Sequence, residues 1–440
     1  LIDALNCNTF ISKIVLHNNR LSVESCNKLF DLLITNPKLD HLEIINNNIQ
    51  DVSLKHLSEV LKKLPQTRSP INLSLRSNKF TYQGAEYLAS ALEANAPVCW
   101  LDLRYNPTVS DKGVEALALS LANNTILTGL DVIKCGCNEH GAEALSDSLI
   151  ENHTLRTLLI QDELSLQAIH SLSLLFSDSL CSLQALYLWS CSLNAQLLEV
   201  LCRHIKGNTS LTTLALSYNK IDDNSSIFLA DMILRNKSLT KLHLGANLFT
   251  STTAGYFGVA LSKNNTLQFL DLSRNNLKSY GVWPIAISLM NNTVLRTIDL
   301  RYNQIDSSGA EMICELLSTN SSIYVMRLSG NMFDDTAIDL IANILKVNTT
   351  LKDIELNNVQ MGNGGFISLC NALKSNTTLE RISLSSNHFN SRCLSSFADL
   401  IPHFKFLRCQ IAELMIVVAL LLLKELCLIR ISLNSTFRRI

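Results

Sequence analysis

The sequence predicts a right-handed α/β solenoid in which a parallel sheet lines the concave side and helices line the convex side. Two observations support this prediction. One apolar pattern recurs about every 28 residues along most of the chain, and each recurrence joins a strand pattern to a helix pattern. A single copy cannot bury its apolar side alone, so the copies must stack. We expect about 14 repeats within residues 1–401, followed by an irregular apolar cap or tail over residues 402–440.

The strand half of the repeat reads L-x-x-L-x-L-x-x-N-x-L, as in residues 211–221. Alternation at positions four and six turns two apolar side chains inward from a short strand. The Asn at position nine offers an amide donor and an acceptor, so we expect it to bond the backbone of the turn that leaves the strand. Cys135 and Cys191 replace this Asn, and Glu163 and Val359 interrupt the series.

Successive repeats are 28 residues apart, except for two early steps of 31 and 29. Their first positions are Ile11, Leu39, Pro70, Val98, Leu127, Leu155, Leu183, Leu211, Leu239, Leu267, Leu295, Ile323, Leu351 and Leu379.

The helix half of the repeat is clearest in residues 84–92, where Gly, Ala and Leu recur at i, i+3, i+4 and i+7. Residues 113–121 and 309–317 repeat the same apolar face. Because a helix is wider than the roughly 4.8 Å spacing of strands, a stack with strands on one side and helices on the other must curve. The predicted shape is a horseshoe.

These motifs resemble the ribonuclease-inhibitor-like leucine-rich repeats over nearly all of residues 8–400. That family includes ribonuclease inhibitor, the sensing ends of NOD-like receptors, tropomodulin, the Ran GTPase-activating protein and effectors secreted by intracellular bacteria. The resemblance implies a scaffold or sensor that holds a partner protein on its concave face. It does not identify the partner, because one fold serves many functions.

Composition argues against several other functions. A net charge of −1, from 37 basic and 38 acidic residues, provides no field that would attract nucleic acid. No Ser/His/Asp set, glycine-rich phosphate loop or paired-carboxylate pocket can be assembled, so we expect neither catalysis nor a cofactor. Cys135 and Cys137 lack a second ligand pair at zinc spacing, so we expect no metal site. The alternative function is a GTPase-activating solenoid resembling the Ran activator, which would organise its partner's own catalytic site.

Asparagines that look like glycosylation sites lie three residues before the next repeat begins. They include Asn152, Asn208, Asn264, Asn348 and Asn376. Because this is where each helix ends, we expect a structural role, namely a left-handed cap that Asn tolerates well.

The thirteen cysteines follow the repeat rather than a pairing pattern. Cys202, Cys314 and Cys370 stand at position twenty, where other repeats have Ala118 or Ala342. We therefore expect small core residues with reduced thiols. That places the protein in the cytoplasm, or in a host's cytoplasm if it is a secreted bacterial effector.

Positions three, five, seven and eight of each repeat are expected to face the concave surface. Most are polar, but some are Trp, Tyr, Phe or Arg, and Trp, Tyr and Arg dominate binding energy at protein interfaces. The candidate partner-binding residues are Trp100, Arg104, Tyr105, Tyr187, Trp189, Tyr218, Phe269, Arg301 and Tyr302. We expect the centre near Tyr187, Trp189 and Tyr218. The alternative is that these are isolated surface aromatics.

Charged residues occupy position five of four successive repeats: Asp271, Asp299, Arg327 and Glu355. They should be neighbours on adjacent strands. An exposed Asp299–Arg327 ion pair, worth ~0.5 kcal/mol, is the favoured interpretation, and steering of a partner is the alternative.

The two ends depart from the repeat. Leu5 stands where a helix should end, so we expect that helix to begin before residue 1. The sequence would then be a fragment, or an upstream segment would cap this end of the solenoid. Residues 414–423 are ten apolar residues, too few to span a bilayer, and extending them to 411–433 would bury charged groups such as Lys424 and Arg430. We favour a capping segment, with membrane association or an aberrant tail as alternatives.

Overall fold

The computed structural model divides the chain into two compact units, Leu1–Leu248 and Phe249–Ile440. It describes residues 10–177 and 182–390, the single residues Leu5, Asn8 and Cys393, and the backbone of Arg408–Gln410. Each unit is an α/β solenoid in which parallel strands alternate with helices, as the repeat predicts.

Nine strands of the first unit hydrogen-bond in chain order. They are β1 (Lys13–His17), β2 (His41–Ile45), β3 (Ile71–Ser74), β4 (Val98–Asp102), β5 (Gly129–Asp131), β6 (Thr157–Ile160), β7 (Ala185–Leu188), β8 (Thr213–Ala215) and β9 (Lys241–His243). The helices between them are α1 (Val23–Thr35), α2 (Asp51–Lys63), α3 (Tyr82–Glu93), α4 (Ser110–Leu121), α5 (Glu139–Glu151), α6 (Leu166–Leu174), α7 (Ala195–Ile205) and α8 (Ser226–Arg235). Short 3-10 turns lie at Pro107–Val109, Leu175–Ser177 and Asp223–Ser225.

The second unit continues the same alternation. Its helices are α9 (Ser251–Leu261), α10 (Lys278–Met290), α11 (Ser307–Thr319), α12 (Asp335–Leu345) and α13 (Asn363–Leu373). Its parallel strands, paired in chain order, are β10 (Phe269–Asp271), β11 (Thr297–Asp299), β12 (Val325–Arg327), β13 (Asp353–Glu355), β14 (Arg381–Ser383) and β15 (Arg408–Gln410).

The apolar periodicity is buried where the sequence places it. Leu214 and Leu216, at positions four and six, are fully buried, and their counterparts in the other described repeats are buried too, except for the partly exposed Leu16 of the first repeat. In α3 the face formed by Gly84, Ala85, Leu88, Ala89 and Leu92 is buried as predicted. Removing this aliphatic surface from water is the main favourable contribution to folding.

The asparagines of position nine form the expected ladder. The Asn219 amide nitrogen donates to the carbonyls of Leu188, at 2.7 Å, and Leu216, at 3.0 Å. The backbone N–H of Asn219 donates in turn to Oδ1 of Asn247 in the next repeat, at 3.0 Å. Where Cys191 replaces the Asn, its thiol donates to the carbonyl of Ile160 at 3.6 Å, which is a weaker form of the same bond.

The residue before the ladder position takes the left-handed backbone conformation in every described repeat except that of Glu163, where Asp162 does not. Tyr105, Tyr218 and Tyr302 have φ values of 59°, 63° and 53°, and Lys134 and Ser190 behave alike. Position eight therefore lies in a tight turn just beyond the strand. Three of the predicted partner-binding tyrosines are turn residues, held in a conformation that few non-glycine residues adopt.

The asparagines at the helix ends correct one prediction. Asn152 and Asn236 have φ of −80° and −67°, so they are not left-handed caps. Each instead clamps two repeats together. The amide nitrogen of Asn152 donates to the carbonyls of Leu121 and Asn124 in the preceding repeat, and its Oδ1 accepts from the N–H groups of Thr154 and Leu155. Asn95, with φ of 56°, does adopt the left-handed conformation.

In the long second repeat, residues 39–69, Arg68 takes over the role of the missing asparagine. It is buried, and its guanidinium donates to the carbonyls of Leu33, Asn36 and Leu39. These acceptors lie at the end of α1 and in the turn after it, the region that an asparagine clamp bonds in the regular repeats. A longer donor from a shifted position thus replaces the missing amide.

Position-twenty cysteines pack as predicted in two of three repeats. Cys202 and Cys370 are buried, whereas Cys314 is partly exposed. Nine cysteines have side chains that the structure describes, and all nine are thiols. Burial raises the pKa of the Cys314 thiol to about 12, so this thiol is un-ionised at neutral pH.

The predicted cap or tail falls largely outside the described residues, as does the apolar segment 411–433. Within it, β15 pairs with β14 in parallel, so Arg408 lies opposite Arg381 in the register. Across the part of the chain that the structure describes, no helix combines the length and apolarity needed to cross a bilayer.

Candidate protein-binding surface

The sheet face is defined here as the face that carries positions three, five and seven of the strands, together with the position-eight turns beside it. In the first unit, position-five side chains form a continuous row because the strands pair in register. Tyr187 pairs with Leu159 on one side and with Ala215 on the other. Because the Ala215 side chain is small, it leaves the side of Tyr187 that faces it uncovered.

Tyr187 and Trp189 meet as the alternation of the strand predicts. Their ring centroids are 5.3 Å apart with an interplanar angle of 75°, an edge-to-face contact favoured by the ring quadrupoles. Both side chains are partly exposed, and partial burial raises the pKa of the Tyr187 hydroxyl. The two rings form one pre-organised aromatic surface.

Tyr218 belongs to the adjacent turn and is 59% exposed. Its turn is fixed by a bond from its N–H to the carbonyl of Gly245, and the N–H of Ser190 donates to Ser217. Among the described residues, the ring contacts include Tyr187 with Trp189 and none with Tyr218. We call Tyr187, Trp189 and Tyr218 the aromatic patch.

Trp100 is anchored differently from the aromatic patch. It pairs with Gly129 on the next strand, and a Cβ at Gly129 would overlap the Trp100 ring. Trp100 therefore lies over the glycine backbone and is only partly exposed. Part of its surface is already used in packing between strands.

Arg104 is held by two buried carboxylates. It bonds Asp102 through two nitrogens, at 2.9 and 2.8 Å, and its Nε lies 3.0 Å from the carboxylate of Asp131. Ser74 donates a further bond to Asp102 at 2.8 Å. These contacts raise the pKa of Arg104, while burial and the nearby Asp102 raise the pKa of Asp131 to about 7. The predicted site residue Arg104 is thus largely committed to the fold.

The second unit contains a similar arrangement around Asp299, which is almost fully buried. Arg301 lies 2.6 Å from Asp299 and 3.4 Å from Glu355, and Arg327 lies 3.1 Å from Glu355. The hydrogen bond to Asp299 raises the pKa of Arg301. Asp271, Asp299, Arg327 and Glu355 are register neighbours as predicted.

The expected exposed Asp299–Arg327 pair needs correction. The two side chains are 3.8 Å apart, but the Asp299 side chain is only 1% exposed and Arg301 lies closer to it. Its neighbours cover the short position-five side chain from both sides, which the sequence pattern does not reveal. The pair is one part of a larger network in which Asp299 is buried, whereas Arg301, Arg327 and Glu355 stay partly exposed.

Tyr302 and Phe269 are the remaining candidates. A Cβ at Gly330 would overlap the Tyr302 ring, and Gly330 has φ of 72°, so the glycine both permits the turn and seats the tyrosine. Tyr302 is 39% exposed. Phe269 is partly exposed at the start of β10 and pairs with Thr297.

Sequence reasoning missed Arg76 and Arg274. The guanidinium of Arg76 lies 4.8 Å from the ring centroid of Tyr105, and that of Arg274 lies 4.3 Å from the centroid of Tyr302. The pentapeptide Asp-Leu-Arg-Tyr-Asn occurs at both 102–106 and 299–303, which marks the two tyrosines but not the arginines of the preceding repeats. The repetition marks two equivalent places on the sheet face.

The irregular stretch around residues 161–163 also has a physical explanation. With Glu163 in the ladder position, Asp162 supplies the missing acceptor and takes a bond from the N–H of Cys137 at 3.2 Å. Burial raises the pKa of Asp162 to about 6. Within the described residues, no three His, Cys, Asp or Glu side chains are arranged to hold a metal ion.

Comparisons with known proteins agree with this architecture. A family model described as leucine-rich repeat matches residues 101–118, 207–230, 263–286 and 291–314. The NACHT, LRR and PYD domains-containing protein 14 of Mus musculus is 30% identical over 236 residues, which are 53% of this chain and 24% of that protein. Ribonuclease inhibitor of Mus musculus is 29% identical over 226 residues, 51% of this chain and 49% of that protein. The chain thus spans about half or less of the length of these curated relatives.

Among solved structures, a chain of the yeast Rad7–Elc1 complex covers 89% of this chain and 81% of its own length, with 14% identity and a TM-score of 0.46. The 28-residue motif, the stacked strand–helix units and the matches to the family model show a leucine-rich-repeat fold, and the chain is similar in sequence to proteins of the ribonuclease-inhibitor-like type.

Proposed function

We propose that the chain is a binding scaffold or sensor that holds a partner protein on the sheet face, which the repeat predicts to be the concave side. The observation that supports this most is the aromatic patch of the first unit. Tyr187 and Trp189 are already packed edge to face, and Tyr218 is 59% exposed in a fixed turn. Rigid, partly exposed Trp and Tyr side chains are the usual energetic centres of protein interfaces.

The patch has little to contribute to the isolated chain. The exposed surfaces of the three rings remain in water, so their burial free energy is available to a partner. Truncating an interface hot spot costs ~2 kcal/mol or more, and the Tyr187 and Trp189 rings lose less conformational entropy on binding because they already pack against each other. The aromatic patch therefore supplies affinity at a small ordering cost.

A binding role also fits the titratable groups of the sheet face. Three described acids with raised pKa values have structural partners: Asp131 pairs with Arg104, Asp353 pairs with Arg381, and Asp162 accepts a bond from the Cys137 N–H. Similarity to ribonuclease inhibitor, a protein named for acting on another protein, supports the same interpretation. We propose that the chain is not an enzyme.

The cysteines support a reducing location. All nine that the structure describes are thiols, and seven of them are buried in repeat-phase positions. We propose that the protein works in the cytoplasm, where such thiols persist.

Affinity capture with matched variants tests the proposed function. The wild-type chain, Trp189→Ala/Tyr218→Ala and Tyr280→Ala/Trp283→Ala are immobilised, and captured proteins are identified by mass spectrometry. The control pair lies on α10 and is 84% and 57% exposed, so it removes the same residue types from another surface. The affinity of each variant for the captured protein is then measured by calorimetry.

We expect the aromatic-patch variant to bind at least tenfold more weakly, because tenfold corresponds to ~1.4 kcal/mol, less than two lost hot spots. Its melting temperature should stay close to that of the wild type, and the control variant should bind normally. Equal affinity, or loss of folding in place of binding, would contradict the proposal. Stimulated GTP hydrolysis by a captured small GTPase would instead favour the GTPase-activating alternative.

A further inference from the structure

Two arginine-on-tyrosine platforms occupy equivalent positions in the two units. The first consists of Arg76 and Tyr105, and the second consists of Arg274 and Tyr302, with guanidinium-to-ring distances of 4.8 and 4.3 Å. Both tyrosines are position-eight residues of the repeated Asp-Leu-Arg-Tyr-Asn sequence. The same stacked pair of side chains therefore occurs in both units. The two arginines differ in their place in the repeat, since Arg76 is at position seven and Arg274 is at position eight.

The platform arginines differ from their neighbours in their charge partners. Arg104 and Arg301 are ion-paired to buried carboxylates at 2.8 and 2.6 Å. In contrast, no carboxylate among the described residues lies within ion-pair distance of Arg76 or Arg274. Each platform therefore presents a cation whose planar N–H donors have no anionic acceptor.

The tyrosines hold these cations in place. The N–H of Tyr105 donates to the carbonyl of Ile133 at 2.8 Å, and the N–H of Tyr302 donates to Ser329 at 2.9 Å. Tyr302 is also seated on Gly330. Stacking on a fixed aromatic ring orients a guanidinium and reduces the entropy that it loses on binding.

The charges around the platforms are balanced in number. In the first unit, Asp131 pairs with Arg104, and the charge of Arg76 also counteracts the rise in the pKa of Asp131. In the second unit, Asp271 stands beside Asp299 as a further acid, so the acids and the arginines are equal in number. What distinguishes Arg76 and Arg274 is therefore the lack of a carboxylate at ion-pair distance among the described residues, and not a local excess of positive charge.

We propose that each platform binds a side-chain carboxylate from an acidic segment of the partner protein, an inference that rests on the proposed function. A planar guanidinium matches a carboxylate through two parallel N–H···O bonds. One guanidinium per platform suits a single carboxylate, whereas a continuous phosphate backbone is usually bound by several cations that follow it along its length. The partner is therefore a protein with exposed Asp or Glu side chains.

The test uses a fluorescein-labelled peptide of alternating Glu and Gly, about ten residues long, and the same peptide with Gln in place of Glu. Fluorescence anisotropy at about 20 mM salt limits screening of the contact. The full chain is compared with Arg76→Gln/Arg274→Gln and with Arg76→Lys/Arg274→Lys. The control is Lys237→Gln/Lys263→Gln, which removes two cations from the turns that follow α8 and α9.

We expect the wild type to prefer the glutamate peptide and the glutamine-substituted arginine variant to bind it at least fivefold more weakly. The lysine variant should fall between them, because it keeps the charge and loses the planar fork. The proposal is wrong if the Arg76→Gln/Arg274→Gln variant binds the glutamate peptide as tightly as the wild type does. It is also wrong if the wild type binds the Gln peptide equally well, or if the control variant loses as much affinity as the arginine variant. If a single-stranded oligonucleotide bound more tightly than the glutamate peptide and depended on the same variants, the ligand of the platforms would be a phosphate and not a carboxylate.

The aromatic-patch variant separates this inference from the proposed function. Trp189→Ala/Tyr218→Ala should keep the wild-type affinity for the glutamate peptide, because both platforms are intact. If it also keeps the captured partner, the proposed function fails while the peptide result stands. If the arginine variant binds the peptide normally, the platforms fail whatever the aromatic patch does.

Discussion

Replacing Asn152 by alanine should destabilise the first unit strongly, although its sequence context looks like a glycosylation site. The Asn152 side chain is 2% exposed. Its amide nitrogen donates to two carbonyls of the preceding repeat, both at 2.8 Å, and its Oδ1 accepts from Thr154 and Leu155 at 3.0 and 2.8 Å. At about 1 kcal/mol net for each of four bonds, with buried groups left unsatisfied, the loss should be about 4 kcal/mol.

Urea denaturation followed by circular dichroism measures this loss as a lower midpoint at constant slope. Asn123→Ala is the matched control, because Asn123 lies in the corresponding turn of the preceding repeat but is exposed, and it should cost less than about 0.5 kcal/mol. Asn152→Asp should be intermediate or worse, since it keeps the acceptor but loses both donors. A loss below about 1 kcal/mol in Asn152→Ala would refute the clamp.

Three further predictions concern other parts of the chain. Gly129→Ala should displace the Trp100 ring, lowering the melting temperature and changing tryptophan fluorescence, whereas Gly207→Ala, which meets no atom within 4 Å, should do neither. The pKa of Asp131 is about 7 instead of its usual 3.8, so the folded state holds its proton more tightly and stability should fall as pH rises from 4 to 7. Asp131→Asn should flatten that dependence, and an unchanged slope would contradict the assignment. Deleting residues 403–440 removes β15 and leaves an edge of β14 unpaired, so the urea midpoint of unfolding should fall. If the midpoint is unchanged and the shortened chain no longer co-sediments with liposomes, the membrane alternative is favoured.

The repeat register was predictable because the strands stack in parallel with a constant offset. Pairs such as Asp299 with Arg327 follow from counting 28 residues along the chain. The buried leucines and the asparagine ladder follow for the same reason, since each repeat meets the same neighbour. The helix-end asparagines were assigned to the correct class of role but to the wrong mechanism. Their amides reach across to the previous repeat, and a contact of this kind has no signature within a single repeat.

The candidate site was only partly predictable. The Tyr187–Trp189 contact follows from the two-residue alternation of a strand. The pairing of Arg104 with buried carboxylates does not follow from the sequence, because it depends on which of several nearby charges is buried. One of its partners, Asp131, belongs to the next repeat. Exposure along the sheet face is set by the size of the neighbours, as Gly129 shows for Trp100.

Covalent footprinting of the chain with and without its captured partner tests the central claim most directly. Hydroxyl-radical oxidation followed by mass spectrometry reads Trp189 and Tyr218 on the sheet face and Trp283 and Tyr280 on α10 in one experiment. All four side chains are at least partly exposed in the isolated chain. We expect the partner to protect Trp189 and Tyr218 and to leave Trp283 and Tyr280 unchanged. Protection confined to Trp283 and Tyr280 would show that the partner binds the helices and that the aromatic patch is not its site.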